Sequence, residues 1–295
     1  MKEHKAGFIS IVGKPNVGKS TLMNQLVGEK LSIITSKAQT TRHRIMGIVN
    51  GETEDSEFQL IYSDTPGIIK PQYELHSAMM EFVHGSLEDA DVVLFVTDIY
   101  EKYDEEDVIQ KLQKTQSPII LIINKMDLAT PEIIEEKITH WKAVLNPAHI
   151  MTISALQNIG IEGLLEQVIK LMPVHPPYFP KDELTDKPER FFAAEIIREK
   201  IFLNYKKEVP YSCEVVVTAF KESDDIIRVS SEIYVERDTQ RAILLGHKGE
   251  RIKKVGTEAR LEMEQFFGKK IFLEQYIKVE QDWRQKRIKL DRFGY

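Results

Sequence analysis

The sequence predicts two domains, an α/β domain built on a mixed, mostly parallel sheet and a smaller α+β domain behind it. Three observations carry this. The chain has 295 residues, 42% of them hydrophobic, which is more than one typical domain needs and enough to bury two cores. Strand-sized apolar runs alternate with helix-period stretches through the first 172 residues, the pattern of a sheet covered by helices. Five of the twelve prolines, Pro173, Pro176, Pro177, Pro180 and Pro188, then crowd into "MPVHPPYFPKDELTDKPER", which reads as a linker. The expected division is 1–172, a linker at 173–189, and 190–295 with a basic C-terminal tail.

In chain order, "FISIVG" is the first strand and a helix-period run follows it. "RIMGIVNG" and "FQLIYSDT" leave no room for a crossover helix between them, so they pair as a hairpin around "NGETEDSE" and make the sheet mixed at one edge. "ADVVLFVTD", "PIILIINK" and "HIMTISA" supply three further strands, separated by amphipathic stretches. The acidic run "YDEEDV" between the first two reads as a solvated helix start. Past the linker, "RFFAAEIIREKIFLNY" has helical spacing, and "SCEVVVTAF" and "IIRVSSEIYVER" read as strands, with Cys213 a small buried residue in the first. "QRAILLG" fits helix or strand equally. "GERIKKVGTEARLEMEQFFG" is a long helix ending at Gly268, and "KIFLEQYIKVE" closes as a strand.

The lone Cys213 excludes an internal disulfide, and no stretch has the charged start and apolar run of a secretory signal, so a reducing, cytoplasmic setting is expected. The longest apolar runs fall far short of the roughly 20 residues of a membrane span. The net charge of −6 argues against nucleic acid only until it is divided. Lys+Arg against Asp+Glu is 18 against 27 for residues 1–188 and 22 against 19 for 189–295, so −9 and +3. Histidines scattered without ligand spacing support no zinc site.

Gly13 to Ser20, "GKPNVGKS", matches G-x-x-x-x-G-K-S between a strand and a helix-period run, the setting a P-loop requires. The glycines Gly13 and Gly18 let the backbone curl so that N–H groups and the helix N-terminus face phosphates. Lys19 neutralises the β and γ groups and the Ser20 hydroxyl ligates Mg²⁺. Pro15, Asn16, Val17 and Thr21 complete the loop. "NKMD" selects the base. Asp127 accepts from both N1–H and the exocyclic amine of guanine, Asn124 suits O6 and N7, and the Lys125 stem lies along the ring.

Together "GKPNVGKS", "TTR", "DTPG", "NKMD" and "SAL" resemble the five ordered motifs of the translation-factor-like GTPases. The resemblance implies that Thr41 ligates Mg²⁺ when GTP is bound, with Thr40 the rival for that role. It also implies that Asp64 holds the ion through water, that the Gly67 N–H touches the γ-phosphate, and that Ser154, Ala155 and Leu156 line guanine, the first two through backbone donors at O6. One departure matters. Ile68 stands where Ras-like enzymes carry a water-orienting glutamine, so slow intrinsic hydrolysis is expected. In some relatives an asparagine at the place of Asn16 helps bind K⁺ across the phosphates; the competing reading is that Asn16 simply tolerates left-handed backbone.

Gly246-His247-Lys248-Gly249 is a second glycine loop, followed by a helix whose first turns carry Arg251, Ile252, Lys253 and Lys254. Two glycines let a sugar-phosphate chain approach the backbone, His247, Lys248, Arg251, Lys253 and Lys254 can meet phosphates, and Ile243, Leu244, Ile252 and Val255 can line a groove for bases. The element order resembles a type II KH domain. With "QTTRHRI", "AAEIIREKI" and "GTEAR", nearly the whole chain resembles the Era family, bacterial GTPases of small-subunit ribosome assembly. That resemblance implies GTP and GDP as ligands, small-subunit ribosomal RNA near its 3′ end and the small subunit as partners, and loose contact with the inner face of the membrane. The basic tail "WRQKRIKLDRF" suits RNA, anionic lipid or plain solvation. A monomer is expected. Two rivals from other classes are a P-loop enzyme phosphorylating a small molecule, opposed by "NKMD" with "DTPG", and a membrane or protein-partner adaptor switch without RNA affinity.

Overall fold

The computed structural model describes residues 2–101 and 106–295, with the side chains of 106–108 and 111 also left aside. The first part of the acidic run "YDEEDV" therefore lies outside the described residues. Contacts divide the chain into two compact units.

The first unit holds 1–32, 41–70 and 79–186. Its sheet runs in the order β2-β3-β1-β4-β5-β6, from β1 (Glu3–Val12), β2 (Ile45–Glu52), β3 (Ser56–Asp64), β4 (Val92–Asp98), β5 (Ile119–Asn124) and β6 (His149–Thr152). All neighbours are parallel except β2, which is antiparallel to β3 with Ile45 opposite Asp64. This is the expected hairpin edge. Every residue of β4 and β5 is buried, so both read as unbroken apolar runs, as parallel strands covered on two faces must. The helices of this unit are α1 (Lys19–Val27), α2 (Glu74–Glu88), whose first turns group with the other unit, α3 (Glu106–Lys114), α4 (Pro131–Leu145) and α5 (Ile161–Leu171). No described helix is long and apolar enough to cross a membrane.

The proline-rich segment is no free spacer. Val174 bridges Lys5 and Thr185 bridges Gly47. Between them the fully buried Gln59 amide accepts from the N–H groups of Tyr178 and Phe179 at 2.7 and 2.9 Å and donates to the Phe179 carbonyl at 2.9 Å. A buried primary amide left unpaired would cost about 1–3 kcal/mol, so Gln59 pins the strap to β3.

The second unit holds 187–295 together with 33–40 and 71–78. Helix α6 (Glu189–Asn204) begins directly after Pro188. Strands β7 (Glu214–Glu222), β8 (Ile226–Val235) and β9 (Lys270–Val279) form a sheet in that order, β7 antiparallel and β9 parallel to β8. A parallel β8–β9 pair demands a crossover, supplied by α7 (Asp238–Leu245) and α8 (Glu250–Phe267). The ambiguous "QRAILLG" is thus helical, capped where Gln240 Oε1 accepts from the N–H groups of Glu236 and Arg237. Cys213 is buried one residue before β7 rather than within it. The tail packs as well: Trp283 and Leu290 around α9 (Arg287–Arg292) are fully buried, and the Tyr295 hydroxyl donates to Glu214 at 2.6 Å.

Candidate nucleotide site and nucleic-acid interface

The C-terminal ends of β1, β3 and β5 bring the predicted nucleotide residues together, where open α/β sheets bind ligands. Leaving β1, the loop turns through Asn16 at φ 66° and Gly18 at φ 102°. A Cβ on Gly18 would stand 2.1 Å from Asn124 Nδ2, so only glycine fits. Lys19, first in α1, is buried and folds back so that its ammonium donates to the carbonyls of Gly13 at 3.0 Å and Lys14 at 2.7 Å. Burial pushes this lysine down to about 8, with Asp64 and Glu101 opposing the shift.

Ser20 is the hub of an oxygen cluster. Its hydroxyl lies 2.7 Å from Asp64 Oδ2 and 2.9 Å from Thr41 Oγ1. Thr40 faces elsewhere, its hydroxyl 2.6 Å from Thr35 Oγ1 and donating to the Lys37 carbonyl at 2.7 Å. Asp64 is fully buried, its Oδ1 lacks a hydrogen-bond partner, and burial raises its carboxyl against the pull of Lys19 and Ser20. Hydroxyl and carboxylate oxygens gathered about Ser20, on a buried carboxylate with one oxygen unpartnered, fit a small divalent cation such as Mg²⁺. At Gly67 a Cβ would collide with the Pro15 backbone at 2.7 Å, so "DTPG" lies against the P-loop. Ile68, without hydrogen-bonding atoms in its side chain, is buried and sends its N–H to the Gly13 carbonyl at 3.0 Å.

The base-reading loops differ in part from expectation. Asn124 Nδ2 donates to the Val17 carbonyl at 2.8 Å and Asn124 Oδ1 accepts from the Ala155 N–H at 3.0 Å, tying three loops together. The Ser154 N–H is spent on the Ile159 carbonyl at 3.1 Å, because a β-bridge closes that loop. The two N–H groups expected at guanine O6 are therefore engaged inside the protein. Asp127 stands exposed after the strand, and Lys125, at φ 64°, reaches the Asn16 carbonyl at 2.8 Å and Asp98 at 2.5 Å. Asp98 and Glu101, the latter 3.7 Å from Lys14, lie beside the phosphate loop and went unread in the sequence; an acid ending β4 and another three residues on were the only signal.

In the second unit α7 ends at Gly246 (φ 69°, ψ −170°), Lys248 is left-handed at φ 49°, and Gly249 at φ 81° opens α8. His247, Lys248, Arg251, Lys253 and Lys254 are exposed and Ile252 is half-buried, whereas Leu244 and Val255, expected along a groove, are fully buried in the core. Ile243 is 40% exposed.

Segments 33–40 and 71–78 are held by side chains that read as ordinary surface charges. The Lys37 ammonium donates to the carbonyls of Phe202 and Tyr205, orphans of the α6 C-terminus. The buried Arg198 guanidinium donates to the Thr40 carbonyl and to Glu195, both at 2.5 Å, and the Ile34 N–H reaches Glu199 at 3.3 Å. In the other segment the Tyr73 ring lies 3.8 Å from that of His76 and under Arg284, which pairs with Glu236.

A family model described as 50S ribosome-binding GTPase matches residues 8–125, and one described as KH domain matches 208–284. The chain is similar to the GTPase Era of Staphylococcus haemolyticus, 38% identical over 298 residues that span 100% of this chain and 98% of the relative. It is similar to the GTPase Era of Syntrophus aciditrophicus at 44% over 295 residues, 99% and 95% of the two chains. With the chloroplastic GTPase ERA-like protein of Oryza sativa the figures are 44% over 302 residues, 99% and 70%. Among solved structures, Era in complex with MgGDPNP and nucleotides 1506–1542 of 16S ribosomal RNA matches with a TM-score of 0.91 at 38% identity, over 99% of each chain. A variant of Aquifex aeolicus Era bound to GDP and AlF4⁻ matches at 0.92 and 38%, again over 99% of each.

Proposed function

The chain belongs to the Era family of GTPases, and from that premise we propose how its residues divide the work of a GTP-hydrolysing switch that binds small-subunit ribosomal RNA near its 3′ end and assists small-subunit assembly. Residues Gly13 to Thr21 cradle the phosphates with backbone N–H groups, and Lys19 turns from its two carbonyls to the β and γ oxygens. Ser20, Thr41 and Asp64 hold Mg²⁺. When bound, the ion neutralises phosphate charge and fixes the β and γ groups relative to each other. The Gly67 N–H meets the γ-phosphate. Asp127 reads the guanine N1–H and amine, the Lys125 stem covers the ring, and Asn124 braces the pocket while turning its remaining amide proton to the base edge. The cluster of Ser20, Thr41 and Asp64 on the sheet that ends in "NKMD" is the observation that carries this reading.

Ile68 cannot orient water, so water must be positioned some other way, and positive charge across the phosphates can come from an ion in place of an arginine finger. Asn16, held at φ 66° on the phosphate loop, is our candidate ligand for K⁺. GTP hydrolysis faster in K⁺ than in Na⁺, with ATP left intact, is the expected result; equal rates in the two salts would remove the K⁺ role, and equal turnover of ATP would remove the guanine reading.

RNA lies along Gly246 to Gly249, with His247, Lys248, Arg251, Lys253 and Lys254 on phosphates and Ile252 on a base. Thr41 follows directly on Thr40, whose carbonyl Arg198 holds, and Tyr205 at the end of α6 donates its hydroxyl to the Leu244 carbonyl at 2.5 Å, two residues before Gly246. That chain of bonds supports positive linkage between GTP and RNA. The protein works in the cytoplasm as a monomer, and α9, with Lys289, Arg292 and the exposed Ile288, is the surface that a peripheral membrane contact would use.

A further inference from the structure

A cleft of about 460 Å³ lies in the second unit beside the glycine loop. The turn after α6 forms one wall with Tyr205, Lys206, Lys207 and Glu208; α7 and α8 form the other with Ile243, Arg251 and Lys254. Four cations face one carboxylate, a local balance of +3 in a chain whose net charge is −6. Lys206, Lys207 and Arg251 are exposed and form no ion pair among the described residues, while Lys254 has only a loose contact with Glu258 at 3.7 Å. Their mutual repulsion is only partly offset by Glu208. It extends to Lys37, whose ammonium is pushed down by burial and then by Lys206.

The cleft is built rather than incidental. Lys207 sits at φ 56°, an uncommon conformation for a side chain of its length, and this turn presents two successive lysines on one wall. The Tyr205 hydroxyl fixes the turn to the Leu244 carbonyl at 2.5 Å, and Asn204 fixes it to Glu258 of α8 at 2.6 Å. Arg251 joins the cleft to the glycine loop, since its stem lies over Gly246, where an added Cβ would meet Arg251 Cγ at 2.6 Å. Arg251 and Lys254 are three apart on α8 and share the face toward the cleft, whereas Lys253 does not line it.

We infer that this cleft is a second phosphate site, taking the sugar-phosphate backbone of the same RNA strand one step beyond the glycine loop, with Lys206 and Lys207 as its phosphate-binding residues. The volume falls within the roughly 300–1,000 Å³ of small-ligand sites, room for a nucleotide unit. The exposed Ile243 offers a ribose or base one apolar contact. The inference rests on the reading of Gly246 to Gly249 as an RNA loop.

The test uses the full-length protein and a single-stranded RNA matching the small-subunit 3′ end, with the dissociation constant measured across a salt series. K206Q/K207N removes two charges and keeps a residue tolerant of left-handed backbone at 207. Two lost phosphate contacts should flatten the slope of log K against log salt by about 1.4 and weaken binding about tenfold at 0.15 M salt. The ranking of RNAs with single base changes should stay the same, because phosphate contacts carry no sequence information. An unchanged slope in K206Q/K207N, beside lost binding in G246D/G249D, would overturn the second site and leave the loop standing. A flattened slope in K206Q/K207N with G246D/G249D unaffected would remove the loop and, with it, the placement of the cleft on the strand that the loop holds, overturning the proposal as stated.

Discussion

The two glycines of the second loop are not equivalent, and their difference can be measured. At Gly246 the backbone holds φ 69° and ψ −170°, a region essentially restricted to glycine, where a side chain costs about 1–3 kcal/mol. A Cβ there would also stand 2.6 Å from Arg251 Cγ and 3.0 Å from Arg251 Cβ, and pushing that side chain off its rotamer adds about 0.5–1.5 kcal/mol. Gly249 holds φ 81° and ψ 9° with nothing within 4 Å of an added Cβ, so alanine costs only the left-handed strain of about 1–2 kcal/mol. Gly246→Ala should therefore destabilise by about 2–4 kcal/mol, more than Gly249→Ala, and Gly249→Asn should recover most of the smaller loss. Urea unfolding in a Trp141→Phe background reads this directly, because Trp283 is then the only tryptophan and is buried in the second unit with its indole N–H on the Ser212 carbonyl at 3.0 Å. Equal losses at the two glycines, or a larger one at Gly249, would refute the reasoning.

Two further outcomes follow from the nucleotide site. Thr41→Ala should raise the Mg²⁺ concentration needed for half-maximal GTP hydrolysis by on the order of tenfold or more, while Thr40→Ala, which removes a hydroxyl bonded to Thr35 and Lys37, should leave it nearly unchanged; the reverse order would exchange their roles. Lys19, held down at about 8 by burial, loses its proton above that pH in the free protein, and a bound triphosphate restores the charge. Binding should then take up a proton, and affinity should fall by up to about tenfold per pH unit above pH 8. Calorimetry at pH 8.0–8.5 in two buffers of different ionisation enthalpy measures the uptake, and identical heats would contradict it.

The phosphate loop was legible because its geometry depends on local spacing: a strand end, glycines that curl the backbone, and Lys19 and Ser20 at the helix start. The hairpin edge followed from the absence of room for a helix. Where two adjacent residues face opposite ways the sequence is silent, which is why it leaves Thr40 and Thr41 as rivals; the fold turns Thr41 toward Ser20 and Thr40 toward Thr35. The bonds of the Ser154 and Ala155 N–H groups to the Ile159 carbonyl and to Asn124 could not be read from the sequence, because they come from loop closure rather than spacing. Nonlocal ties were harder still. Lys37, Arg198 and Glu199 look like solvated charges on paper, yet they satisfy carbonyls and an N–H that would otherwise be orphaned. Lys206 and Lys207 carried no motif, and only the fold set them across from Arg251 and Lys254.

The central claim is that the nucleotide state governs RNA binding. It is tested most directly by the affinity of the intact protein for a single-stranded RNA matching the small-subunit 3′ end, measured at fixed salt with GDP and with a non-hydrolysable GTP analogue. Linkage through segment 33–40 and α6 predicts tighter binding with the analogue, within the roughly 5–150-fold range of such couplings, and the same factor on analogue affinity when RNA is added first. Equal affinity in the two nucleotide states would contradict the claim.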